Sequence, residues 1–217
     1  GMRRRFISMA VIRRLPRYYR YLNEMLAAGV MQISSRELAD RMDLTASQVR
    51  QDFNCFGDFG QQGCGYDVAA LHKEIKSIIG LDQEYKIVIM GAGRMGCSLL
   101  EHFGFERRGF NVLAAFDNNP ELFGKSINGV TIHDVKKAEE VCATVRPDIG
   151  VLTVPASETK EACAILKKIG VQAIWNFTKG ELGVSEEEIV VENVHISDSL
   201  MSLCYRLTEL EDALYGD

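Results

Sequence analysis

The stretch Lys86–Gly96, KIVIMGAGRMG, runs an apolar segment into the turn Gly91, Ala92, Gly93, Arg94, Met95 and Gly96. Residues of this kind and spacing do binding chemistry. The glycines let the turn close and bring its backbone against a pyrophosphate, whose charge is held by amides at the start of the next helix. A lone glycine turn is weak evidence, but its surroundings strengthen it. CSLLEHF continues as a helix, FNVLAAFD follows as a second strand, and the end of that strand places Asp117 twenty-one residues beyond Gly96. Asp117 would accept from both hydroxyls of a ribose and would repel a 2′-phosphate. The expected cofactor is therefore NAD, as NADH or NAD+, with Arg107 and Arg108 nearby as a weak pull toward the 2′-phosphorylated form. The competing reading is a glycine turn that binds nothing.

A second group of residues points to a different chemistry. In LTASQVRQDF, Leu44 to Phe53, the residues Ala46, Val49 and Phe53 recur at i, i+3 and i+7 and can face inward. That leaves Ser47, Gln48, Arg50, Gln51 and Asn54 largely outside, where they can read base edges or hold phosphates. Arg14 on the first helix, and Gly60 and Gln61 after the third, complete the candidate DNA contacts.

The elements that must carry these groups are readable. From Ile12 the apolar residues Ile12, Leu15, Tyr19, Leu22 and Leu26 form one helical stripe, with Arg13, Arg14, Arg17 and Arg20 mostly off it, and Gly29 stops the helix. Ser34 to Glu37 and Thr45 to Gln48 both fit a capping box, so two helices follow in tight succession, as in a helix-turn-helix. FGDFGQQGCGY sets Gly60 and Gly63 around Gln61 and Gln62, between Phe59 and Tyr66, as a hairpin would. Three helices and a hairpin make a winged helix; the alternative is a small helical docking domain. Further strands are expected at 130–133, 149–155, 171–177 and 190–196, alternating with helices such as 157–169, which gives an open parallel sheet. Ligands bind at the strand C-terminal ends of such sheets. That nominates Thr153, Val154, Pro155, Asn176 and Phe177 as neighbours of the nicotinamide. In the last segment Leu200, Leu203, Leu207, Leu210 and Leu214 repeat at 3-4-3-4, a packing seam for its own body or for a second subunit.

Composition bounds these readings. The chain has 217 residues, 47% of them hydrophobic, enough for one large domain or two smaller ones. No apolar run reaches the roughly 18 residues of a membrane span, and the N-terminus lacks the apolar stretch of a secretory signal, so a cytoplasmic protein is expected. Six cysteines (55, 64, 97, 142, 163, 204) show no metal-like spacing, which favours reduced thiols over zinc or disulfides. Cys97, at a helix start, could be a thiol sensor or a packed core thiol. Residues 1–65 carry ten Arg against six acids, about +4, whereas residues 66–217 carry about −9. A basic front on an acidic body suggests that only the front meets a polyanion.

Taken together, AVIRRLPRYYRYL, ISSRELADRMDLTASQVRQDF, FGDFGQQGCGYDV, GAGRMG, LTVPA and NFT closely resemble the Rex family of redox-sensing transcriptional repressors, over nearly the whole chain. The resemblance implies an α/β protein with an N-terminal arm at 1–9, a winged-helix domain at 10–80, a Rossmann-type parallel-sheet domain at 83–196 and a C-terminal swapped helix at 197–217. It implies a homodimer that binds an inverted-repeat operator in double-stranded DNA when NADH is scarce, with NAD+ competing for the NADH site, and no catalysis. Two positions depart from the family pattern. His102 stands where a tyrosine is usual and His195 where an aspartate is usual, at positions that help tell the redox states apart, so a pH-dependent contact between them across the dimer is one expectation and a silent polar exchange the other. Lys179 replaces an expected proline. Two rival functions stay open at this point. A small NAD-dependent dehydrogenase would use His102, His133 or His195 as acid or base, although about 110 residues are too few for a substrate domain as well. The other is a CoA- or nucleotide-binding module with no role on DNA.

Overall fold

A computed structural model describes residues 7–57, 60–61 and 65–216. The expected hairpin residues Phe59, Gln62, Gly63 and Cys64, and the first six residues of the expected arm, lie outside the described residues. The chain forms two compact units, 1–83 and 84–217.

In the first unit, α1 (Met9–Ala27) is capped by Ser8, whose hydroxyl accepts from the Val11 amide. Its buried stripe is Val11, Leu15, Tyr18, Leu22 and Met25, one position away from the expected one at three of five places. Leu26 is instead 38% exposed. Both frames satisfy helical spacing, and the frame that wins buries Tyr18, whose hydroxyl donates to Asp52 Oδ2 at 2.6 Å. α2 (Ser35–Met42) and α3 (Ala46–Asn54) start on caps in which Ser34 and Thr45 each accept a third-residue amide, from Glu37 and Gln48, at 3.1 Å. α2 ends at Asp43 in the left-handed region, φ 54°, so only a few residues separate the two helices. Three short strands, β1 (Gln32–Ile33), β2 (Gly60–Gln61) and β3 (Gly65–Asp67), form an antiparallel sheet in the order β1-β3-β2, and α4 (Val68–Ile78) completes the unit. Sequence reading anticipated the pairing of β2 with β3 and missed β1, whose two residues are too short to show a period.

The second unit is a seven-stranded sheet. Its strands are β4 (Tyr85–Met90), β5 (Phe110–Asp117), β6 (Ser126–Ile127), β7 (Val130–Asp134), β8 (Ile149–Leu152), β9 (Ala173–Asn176) and β10 (Val190–Asn193). They lie in the order β10-β9-β8-β4-β5-β7-β6, parallel except for β6 against β7. This is the order of a Rossmann sheet, and it reverses direction at β4, which opens a crevice at the carboxyl ends of its neighbours. The helix after the glycine turn, α5 (Arg94–Ser98), is shorter than expected, and Leu99–Phe103 continue it as a π turn before Gly104 ends it. α6 (Ala138–Val141) and α7 (Thr159–Lys168) follow β7 and β8. The last helix, α8 (Ile196–Tyr215), has no buried residue: its five seam leucines are 52–63% exposed. Among the described residues nothing buries this seam.

Candidate functional site

Each glycine of the turn after β4 answers a separate geometric demand. Gly91 has φ +109°, a backbone region that side chains rarely adopt, and a Cβ there would come within 2.9 Å of Thr153 Oγ1. At Gly96 a Cβ would fall 1.9 Å from the Gly91 carbonyl oxygen, so the helix can pack on the strand only if that position is bare. Gly93 differs: a Cβ there would meet nothing within 4 Å. Protein packing does not require its lack of a side chain, and the position lines open space. Thr153 Oγ1 donates to the Gly91 carbonyl at 2.8 Å and locks the turn to the end of β8.

Asp117, the last residue of β5, accepts the Ala92 amide on Oδ2 and the Asn119 amide on Oδ1, both at 2.8 Å. The carboxylate is thereby fixed beside the turn, with further lone pairs for ribose hydroxyls. Around them lies a cleft of about 680 Å³, within the range of small-molecule and cofactor sites. Gly91, Gly93, Arg94, Asp117, Thr153, Val154 and Pro155 line it. Ala92 and Gly96 are buried in the turn behind, and Met95 is partly exposed beside them.

Two expected neighbours are not brought to this cleft. Asn176 is 3% exposed and serves as a clamp: its amide donates to Asn193 Oδ1 at 2.8 Å, and its own oxygen accepts from the Thr178 amide and hydroxyl. Phe177 packs edge-on against Trp175, ring centroids 4.6 Å apart. Sequence reading also missed lining residues. Asn118 donates to Glu158 Oε1 at 2.5 Å and ties the end of β5 to the start of α7, and Lys136 follows β7. Glu158, Glu161, Ala162 and Ile165 share one face of the α7 segment, a spacing that the expected helix at 157–169 already contained.

Cys97 is a packed thiol. Its Sγ donates to the Ala92 carbonyl at 3.1 Å, and burial, with Glu101 and Asp117 nearby, pushes the thiol up, away from the thiolate a sensor needs. His102, in the π turn, is exposed, with Nε2 3.4 Å from Glu101 Oε2; His195 is exposed at the start of α8. Among the described residues no group of three or more His, Cys, Asp or Glu is placed to hold a metal ion, and no helix is long and apolar enough to cross a membrane.

In the first unit Ser47, Arg50, Gln51 and Asn54 are exposed on α3, and Arg50 donates to Ser35 Oγ at 3.3 Å. Gly60 and Gln61 form β2, paired with Tyr66 and Gly65. Arg14 is anchored within the unit. It is not a free surface cation, because its Nε and one terminal nitrogen hold Asp52 at 2.7 and 2.8 Å. Asp52 itself, fully buried on α3, went unread in the sequence because an acid four residues beyond Gln48 resembles any solvated helix charge. Gln48 also donates to it, at 2.8 Å, instead of reaching back to close its capping box. Burial alone would push the Asp52 carboxyl up, but the hydrogen bonds from Arg14, Tyr18 and Gln48 outweigh it and hold the group below the usual carboxylate range.

A depressed folded-state value means that Asp52 stabilises the unit fully above the unfolded value of about 3.9, and that this contribution is lost as the pH falls through the lower folded value. The melting temperature of the first unit should hold steady down to about pH 5 and fall below about pH 4. Asp52→Ala, which leaves Arg14 and Tyr18 without their acceptor, should cost about 3–5 kcal/mol by denaturant unfolding at neutral pH. A loss below about 1 kcal/mol, the range of an exposed pair, would contradict this account.

A unit with an exposed polar helix after a tight turn, joined to a sheet unit with a nucleotide-type cleft, defines a ligand-responsive transcription regulator. Comparison with known proteins agrees for both parts. Residues 6–54 match the family described as "Putative DNA-binding protein N-terminus", and residues 82–180 match the CoA binding domain family. The redox-sensing transcriptional repressor Rex of Thermoanaerobacter sp. (strain X514) is 47% identical over 205 residues, 94% of this chain and 91% of the relative. That of Clostridium novyi (strain NT) is 48% identical, covering 94% and 97%. The crystal structure of RSP in complex with β-NAD+ and operator DNA superposes with a TM-score of 0.86 at 47% identity, covering 98% of each chain. RSP in complex with β-NADH gives a TM-score of 0.86 at 45% identity, covering 95% of this chain and 96% of that one. The chain belongs to the Rex family of redox-sensing transcriptional repressors, which are regulators and not enzymes.

Proposed function

We propose that this chain acts in the cytoplasm as a homodimeric repressor that binds an inverted-repeat operator and lets go of it when the cleft beside Gly93 and Asp117 takes up NADH. The observation that carries the reading is the pairing of an open glycine with a fixed carboxylate at the switch point of the sheet: one leaves room for a pyrophosphate, the other accepts from a ribose. Relatives with both ligands support it, since RSP has been crystallised with β-NAD+ and operator DNA and with β-NADH. Asp117 favours a ribose with a free 2′-hydroxyl. Arg107 and Arg108 do not line the cleft; Arg108 donates to the Phe103 carbonyl at 3.1 Å.

In this reading Ser47, Gln48, Arg50, Gln51 and Asn54 face the major groove, and β2 carries Gly60 and Gln61 toward the duplex. NADH and NAD+ differ by one charge and in ring shape, and His102 and His195 are the polar groups through which paired subunits distinguish them. Switching requires differential affinity: the operator-competent and released arrangements must differ in NADH affinity by about 1–3 kcal/mol for ordinary coupling. Operator binding by the purified protein alone, with NAD+ and with NADH tests this. NADH should weaken binding by about 5–150-fold, the range of that coupling, and NAD+ should not. Equal operator affinity in all three conditions would refute it.

A further inference from the structure

Four hydrogen bonds converge on the buried Asp52 carboxylate, two from Arg14, one from Tyr18 and one from Gln48. A carboxylate held ionised can only accept, so the Gln48 side-chain amide must turn its nitrogen toward Asp52. The other end is then fixed as well: the Gln48 carbonyl oxygen points away from Asp52. Gln48 is half-buried at the edge of the exposed face of α3, next to Ser47 and one turn before Gln51.

We propose that Asp52, without touching DNA, determines which base pair Gln48 accepts by fixing the orientation of its amide. This rests on the operator-reading role proposed above. A glutamine reads a base through a donor and an acceptor held in a set order, as in its paired contact with adenine N6 and N7. A freely turning amide offers that order and its reverse; one anchored on a carboxylate offers a single order. Asparagine at position 52 would remove the constraint, because it can accept from the Gln48 nitrogen or donate to the Gln48 oxygen. Asp52 is therefore a positioning residue, and its loss should change which bases are tolerated as well as how tightly DNA is held.

The test measures binding of wild type, Asp52→Asn and Gln48→Met to the operator and to duplexes in which each base pair of the half-site is replaced in turn. Wild type should discriminate at one position by about 10-fold or more, the range of a good paired contact. Both variants should lose that preference, at the same position, and keep the others. In the Gln48→Met background, Asp52→Asn should change the preferences no further. A uniform weakening across the whole panel, or an unchanged panel for Asp52→Asn, overturns the inference. Wild type that binds no duplex at all sinks the operator reading instead. If Asp52→Asn does not fold, the wild-type Gln48 side-chain amide decides. Assigned by its absence in Gln48→Met, its proton pair should exchange with solvent more slowly than those of exposed glutamines; exchange as fast as theirs overturns the inference.

Discussion

Gly93→Val is expected to leave the chain folded and to abolish its response to NADH. Gly93 has φ −76° and ψ −159°, extended backbone that a valine adopts, and its Cβ would meet no protein atom within 4 Å. The added side chain must instead project into the space beside Asp117, where the turn's backbone has to approach a pyrophosphate. NADH affinity should fall by about 100-fold or more, close to 3 kcal/mol, and NADH concentrations that release wild type should leave the variant on its operator. Titration of NADH fluorescence and of operator binding would check both halves. Gly96→Ala is a useful contrast, because its Cβ would fall 1.9 Å from the Gly91 carbonyl oxygen and must distort the turn itself. A Gly93→Val protein that binds NADH like wild type would remove the cleft from the account.

What the sequence revealed and what it hid follow from the range over which each signal acts. The caps on α2 and α3 were legible because a hydroxyl and an amide three residues on settle a helix start by themselves. The glycine turn and Asp117 were legible for the same reason, since each is fixed by a neighbouring strand end. The frame of α1 was not. Val11, Tyr18 and Met25 fit helical spacing as well as Ile12, Tyr19 and Leu26 do, and the choice depends on Asp52, thirty-four residues beyond Tyr18, as the acceptor that lets a tyrosine hydroxyl be buried. The anchoring of Arg14 and Gln48 on one buried acid was not legible, because that carboxylate is distant from Arg14 in sequence and unremarkable in type. Asn176 and Phe177 sit at a strand end like Thr153, but the strand beside them, β10, offers Asn193 as a partner, and that pairing draws the amide away from the cleft.

The double substitution Leu203→Glu, Leu207→Glu should convert the protein to a monomer and lower operator affinity by about 10²–10⁴-fold, the usual gain from joining two binding modules. Nothing in the single chain argues that these leucines support its own fold: they are 56% and 52% exposed, on a helix with no buried residue. A soluble monomer rarely leaves a ridge of five leucines uncovered along one helix, so a second copy is the natural cover, by a two-fold contact that sets two α3 helices against two half-sites. Light scattering would report the mass, and operator titration the loss of bivalent binding. Reciprocity supplies an independent check. If one dimer spans both half-sites, then the operator must stabilise the dimer by the same factor by which dimerisation strengthens operator binding, so wild type diluted until it dissociates should reassemble on the inverted repeat and not on a single half-site. A variant that stays dimeric and binds the operator like wild type would place the subunit contact elsewhere and leave the exposure of α8 unexplained.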